Sequence, residues 1–97
     1  MLIREGVSRK LKSSGGSVVI IGSNMSRRAI RNRSAYIASK GGLVSLAKAL
    51  AIDFAKYSVR VNTLLSGSIH TDRWDSLDAD AVAAKRARIP LGIEAYP

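Results

Sequence analysis

The sequence predicts an α/β chain organised around a parallel sheet, and three observations carry that prediction. Ser17-Val18-Val19-Ile20-Ile21 is a continuous β-branched run without polar alternation, which suits a strand covered on both faces. Val59 to Leu65 (VRVNTLL) reads as a second strand. Between them, Leu43, Leu46, Ala47, Leu50, Ala51 and Phe54 recur at three- and four-residue spacing, the broad apolar stripe of a helix. Strand, helix and strand in that order form a βαβ crossover core.

Taken from the start, Leu2 to Lys12 reads as the end of a helix, with Ser13-Ser14-Gly15-Gly16 as its stop and turn. The first strand closes at Gly22-Ser23-Asn24. Residues 24–33 (NMSRRAIRNR) form a loop with four arginines and no periodicity. The helical pattern runs from Ser34 to Lys56. Gly41-Gly42 inside it costs roughly 1 kcal/mol per residue against alanine, which close approach of a backbone or a ligand would explain, as would a simple break. The second strand closes at Ser66-Gly67, a further helix is expected around Asp78 to Arg88, and the chain ends on IPLGIEAYP. No internal repeat or low-complexity tract interrupts this order.

Composition removes several function classes. Ninety-seven residues hold one small domain or a piece of a larger one. With no cysteine, disulfides, thiolate zinc sites and cysteine nucleophiles are excluded, and a single histidine, His70, argues against a metal centre. No continuous apolar run nears the ~20 residues of a membrane span, and MLIREGVSRKLK is too charged for a signal-peptide core. The expectation is a soluble, cytoplasmic chain. Charge is uneven: residues 1–60 carry 12 basic and 2 acidic side chains, residues 61–97 carry 4 and 5. A nucleic-acid surface is one reading of that asymmetry, but it rests on charge alone; a solvated basic face is the commoner cause.

Ligands of open α/β sheets bind outside the carboxyl ends of the strands. Here those ends are Gly22-Ser23 and Ser66-Gly67, and the first leads into the helix carrying Tyr36 and Lys40. Four apart on a helix, these two share a face. A free tyrosine, with a pKa of about 10, exchanges protons poorly at neutral pH; an ammonium held nearby favours its phenolate. A Ser23 hydroxyl could share charge developing on a substrate oxygen. The three together describe acid–base work on a carbonyl/alcohol pair.

The stretches GGSVVIIGS, SAYIASKGGLVSLAKALAIDFA and VRVNTLLSGSIHTD resemble the catalytic half of the short-chain dehydrogenase/reductase family, over roughly residues 13–97. Ser23 precedes Tyr36 by thirteen residues, as the family's serine precedes its Y-x-x-x-K, and Arg60-Val61-Asn62 leads to Ser66-Gly67-Ser68-Ile69-His70-Thr71, with serine where the family has proline. The resemblance implies part of a Rossmann-like, doubly wound parallel sheet, incomplete in these 97 residues. It implies Tyr36 as general acid/base, Lys40 as holder of the nicotinamide ribose and promoter of the phenolate, and Ser23 as the group orienting the substrate carbonyl. Ser23 and Tyr36 would bind substrate. Tyr36, Lys40, Ser66, Gly67, Ile69 and Thr71 would bind NAD or NADP, and the substrate would be a small alcohol or carbonyl compound.

The family's glycine-rich pyrophosphate turn, its N-A-G segment and a further catalytic asparagine belong upstream of residue 1, so a fragment of a longer, homo-oligomeric subunit is expected. The alternative is a non-catalytic remnant, or a partner of intact family members through the Leu43–Phe54 helix. By the same resemblance the four loop arginines lie where the family lines its substrate pocket, where they could favour an anionic substrate, although exposed loop arginines are usually solvated. Asn62 reads as structural, His70 as a loop or rim residue, and Trp74 as packing.

Overall fold

The structure, a computed structural model, describes Glu5 and residues 11–97. The helix expected over Leu2–Lys12 falls mostly outside the described residues; a single helical turn follows at Lys12–Ser14. The chain leaves it at Gly15, whose φ of 70° lies in the left-handed region. A Cβ there would also sit 3.0 Å from the Ser58 carbonyl oxygen, so glycine meets both demands. The chain divides into two compact units, one ending at Ser66 and the other spanning Gly67–Pro97.

The first unit holds β1 (Gly16–Ser23), a 3-10 turn (Asn24–Ser26), α1 (Ser34–Phe54), a second 3-10 turn (Ala55–Tyr57) and β2 (Val59–Ser66). β1 and β2 pair in parallel, from Gly16 opposite Val59 to Ser23 opposite Ser66. Parallel neighbours cannot be joined by a hairpin, and α1 is the crossover that returns the chain to the starting edge. The predicted α/β class and its βαβ core are therefore present, as a two-stranded portion of a larger sheet type.

The core sits between one sheet face and α1. Ile20, Val59 and Val61 meet Ala47 and Leu50, with the half-buried Val18, Leu43, Leu46 and Phe54 around them. Alternate positions point the other way, leaving Val19, Ile21 and Leu64 exposed. Among the described residues the run expected to be covered on both faces is thus covered on one, where α1 packs on the sheet. At Gly41 and Gly42 the helix is unbroken, and a Cβ on either would meet no atom among the described residues, so neither a break nor the approach of a described backbone accounts for them. Ser34–Tyr57 does reach the length and apolar composition of a membrane span, at mean hydropathy 1.2, although its apolar residues are not continuous. The burial of Ala47 and Leu50 against strands is the arrangement of a sheet-covering helix.

The second unit holds α2 (Asp72–Asp75), α3 (Ala79–Arg86) and an isolated parallel bridge between Ile69 and Ala95. Asp78 caps α3, its Oδ1 accepting the Ala81 N–H at 2.7 Å, while Asp80 in the first turn and Lys85 and Arg86 in the last complement the helix dipole. α3 was legible in the sequence. The four-residue α2 was not, since one turn is too short to display a period.

Core burial sets the first expectation. Leu50→Ala should lower unfolding free energy by about 2–4 kcal/mol in urea titration, whereas Leu91→Ala, at a side chain 87% exposed, should change it by less than about 0.5 kcal/mol.

Candidate functional site

The carboxyl ends of β1 and β2 and the start of α1 share one edge of the first unit, because the crossover helix must begin where β1 ends. Ser23 closes β1 and lies in register with Ser66 at the end of β2. Its backbone is extended, and its Oγ accepts the Met25 N–H at 3.1 Å, capping the Asn24–Ser26 turn. Ser26 Oγ donates to the Ser23 carbonyl at 2.7 Å and fixes the same corner. Since Ser23 Oγ serves only as an acceptor here, its hydroxyl proton is uncommitted.

Tyr36 and Lys40 occupy the first two turns of α1. The Lys40 ammonium lies 5.7 Å from the Tyr36 ring centroid, so the four-residue spacing does place both on one face. Tyr36 is 45% exposed, and its phenolic oxygen has no hydrogen-bond partner among the described residues; the backbone carbonyl of Tyr36 accepts from Ser39 Oγ at 2.8 Å. Lys40 is half-buried and forms no ion pair among the described residues. Ser66 is differently engaged, its hydroxyl donating to the Gly22 carbonyl at 3.1 Å and tying the two strand ends together. Among the described residues, the hydroxyl protons of Ser23 and Tyr36 and the ammonium of Lys40 therefore have no hydrogen-bond acceptor.

Gly67, Ile69 and Thr71 belong to the second unit. Around the Ile69–Ala95 bridge, the His70 N–H donates to the Ala95 carbonyl at 2.7 Å and the Ala95 N–H donates to the Ser68 carbonyl at 3.0 Å. That pattern leaves Ile69's own N–H and C=O without partners among the described residues: one donor and one acceptor, side by side on a pinned backbone. Gly67 and Thr71 are exposed. The Thr71 side chain makes no capping bond to α2, and it lines an open cleft with His70, Asp72, Arg73 and Pro97.

His70 lies in a loop and is half-buried, and its side chain does more than a loop position requires. Its ring stacks between Trp74 and Tyr96, with centroids 5.9 and 4.9 Å away. Nδ1 lies 3.0 Å from Glu94 Oε1 and Nε2 lies 3.0 Å from Asp75 Oδ1. Glu94 is only 3% exposed, yet Arg86 donates to both its oxygens at 2.8 Å. A fork-on-carboxylate pair of this kind compensates the burial of the Glu94 charge, the Arg86 side chain itself remaining partly exposed. Trp74 is buried, as its packing role requires, and the Lys85 ammonium lies 4.5 Å from its ring centroid. No spacing rule connects His70 to a partner 24 residues away, so the cluster was invisible in the sequence.

A neutral imidazole has one N–H and would leave one of the two carboxylates facing a bare nitrogen. The hydrogen bonds to Glu94 and then Asp75 therefore raise the His70 pKa above 6.5, with burial opposing them. The Arg86 hydrogen bonds hold Glu94 well below the usual carboxylate range, against its desolvation. A raised histidine contributes stability in full below its unfolded value of 6.5 and loses it as pH climbs through the folded value. A lowered glutamate contributes above its unfolded value of 4.5 and loses it as pH falls. Both contributions are intact between those two values. NMR titration of the imidazole is expected to give His70 a midpoint above 6.5, and Asp75→Asn and Glu94→Gln should each bring it down; a wild-type midpoint at or below 6.5 would contradict the cluster.

A family model described as enoyl-(acyl carrier protein) reductase matches residues 1–97. A 3-oxoacyl-[acyl-carrier-protein] reductase from Bos taurus is 38% identical over 89 residues, which is 92% of this chain and 36% of that protein. A short chain dehydrogenase family protein from Francisella tularensis superimposes with a TM-score of 0.81 at 31% identity, covering 98% of this chain and 43% of that one. A structure from Beutenbergia cavernae with bound NADP (low occupancy), provisionally assigned as an NAD(P)-dependent gluconate 5-dehydrogenase, gives 0.73 at 40% identity, covering 84% and 33%. The chain spans about a third of the length of the curated relatives it matches.

Proposed function

The chain belongs to the short-chain dehydrogenase/reductase family, and on that premise we propose that it carries the proton-transfer residues of an NAD(P)-dependent oxidoreductase interconverting an alcohol and a carbonyl compound. The observation that carries this reading is the uncommitted group of Ser23, Tyr36 and Lys40 at the edge where β1 ends and α1 begins. A nicotinamide dinucleotide, NAD or NADP, supplies or accepts the hydride when bound.

Each unit, taken by itself, presents groups that such a cofactor would use. Lys40, free of any ion pair among the described residues, offers donors to ribose hydroxyls. In the second unit, Ile69's unpaired N–H and C=O match the acceptor and donor of a carboxamide, and the Thr71 hydroxyl is available to a phosphate. Ser66 and Gly67 would contribute mainly through the backbone, the Ser66 hydroxyl being engaged with Gly22.

In the reducing direction Tyr36 gives its phenolic proton to the substrate oxygen as that oxygen becomes an alcohol. The ammonium of Lys40 stabilises the phenolate left behind. Ser23 donates its free hydroxyl proton in a hydrogen bond to the same oxygen, holding it toward Tyr36 and sharing its negative charge. Oxidation runs the proton back to the phenolate. Ile52, 78% exposed on α1, is an apolar group available to the homo-oligomer that the family resemblance implies.

Tyr36→Phe in the native polypeptide should lower kcat by roughly 10²–10⁴-fold, followed through the absorbance of the reduced nicotinamide, with the circular dichroism unchanged. Turnover that survives this substitution would remove the assigned role.

A further inference from the structure

Arg27, Arg28, Arg31 and Arg33 are all exposed, and none forms an ion pair among the described residues. They lie on the segment joining Ser23 to Tyr36, whose two ends are fixed. At one end the Arg27 N–H donates to the Asn24 carbonyl at 3.0 Å, within the turn that Ser23 caps. At the other, the Arg33 carbonyl accepts the Ile37 N–H at 2.8 Å, in the turn of helix that carries Tyr36. Arg27 thus lies four residues from Ser23 and Arg33 three from Tyr36, with Arg28 and Arg31 each five residues from one of these two groups.

Among residues 11–66 little balances them. Between residues 11 and 66 the sole carboxylate is Asp53, near the far end of α1. Twenty helical residues separate it from Arg33, about 30 Å at 1.5 Å per residue. That is several times the ~8 Å over which charge is felt at physiological ionic strength. The loop also uses arginine at all four basic positions and lysine at none. A solvated face needs only charge, which lysine supplies equally well. A planar fork adds paired hydrogen bonds to a carboxylate or phosphate.

Building on the oxidoreductase reading above, we propose that the arginines of residues 27–33 select carbonyl or alcohol substrates that carry a carboxylate or phosphate, binding that anion while Ser23 and Tyr36 engage the reacting oxygen. The anion stays unchanged through the reaction, so its contribution appears in binding and is open to measurement without turnover.

The test uses matched probes that differ only in the anion: dihydroxyacetone phosphate against dihydroxyacetone, and 3-oxobutanoate against its methyl ester. Arginine Nε–H chemical shifts of the native polypeptide are followed in each titration. The anionic member of at least one pair should bind about tenfold or more tightly than its neutral partner, as a charge-assisted hydrogen bond warrants. The pair with the larger ratio identifies the anion as phosphate or carboxylate. That ratio should shrink severalfold between about 20 and about 200 mM salt. Replacing all four arginines by glutamine should bring it within about twofold, while replacing them by lysine should keep the salt dependence and lose part of the ratio.

Equal affinities within both pairs would overturn the proposal. So would duplex DNA shifting the same signals at lower concentration than either anion, which would mark a nucleic-acid surface instead. Tyr36→Phe separates this inference from the one beneath it: the anion preference should persist in that variant, and its turnover reports on proton transfer alone.

Discussion

Parallel pairing of β1 and β2 is the constraint from which the rest of the first unit follows. Two strands running the same way cannot be closed by a tight turn, so the chain must cross back over one face before the second strand begins. α1 makes that crossing, and its stripe of Ala47 and Leu50 against Ile20, Val59 and Val61 is what holds it down. Because the helix has to start at the edge where β1 ends, Ser23, Ser66 and the first turns of α1 are gathered at one edge by topology. Chemistry placed at that edge needs no long-range coincidence. The pairing register, Ser23 opposite Ser66, and the bond from Ser66 to the Gly22 carbonyl hold the two strand ends level.

The His70 cluster of the second unit contrasts with the strand-end groups of the first. In the cluster the side chains are saturated: His70 has a carboxylate at each nitrogen and stacks on two aromatic rings, and Arg86 fills both oxygens of a buried glutamate. Such a cluster spends its hydrogen-bonding capacity on holding the bridge between Ile69 and Ala95 and has little left for a ligand. At the edge of the first unit, the Tyr36 phenol, the Lys40 ammonium and the proton of Ser23 remain unspent. Local structure pins the backbone beneath each of them while leaving the functional atom free. A rigid support with an unsatisfied tip is what proton transfer to an incoming molecule requires.

The exposed side of the sheet is the counterpart of that economy. Val19, Ile21 and Leu64 lie on the face that α1 does not reach, an apolar surface of the kind a doubly wound sheet covers with further helices. The long β-branched run was therefore a faithful report of strand character and of a sheet type with two apolar faces. It held no information on which of those faces this stretch of chain would cover itself. The helix stripe, by contrast, was read correctly at the level of single residues, since Leu43, Leu46, Ala47, Leu50 and Phe54 all reach the core or its margin.

Much of the first unit was settled by local sequence, because its determinants act over short separations. Period and β-branching define the elements, and a four-residue step on a helix puts Tyr36 and Lys40 on one face whatever lies around them. The thirteen residues from Ser23 to Tyr36 are likewise a feature of the linear chain. Only the tertiary structure decided which of these groups keep their protons free, which face of the sheet stays bare, and that His70 is a bridging member of a charged cluster. Those outcomes depend on contacts such as His70 with Glu94, made between residues far apart in the chain. No repeat or spacing encodes such a meeting, and it becomes definite only when the backbone has brought the side chains within hydrogen-bonding distance.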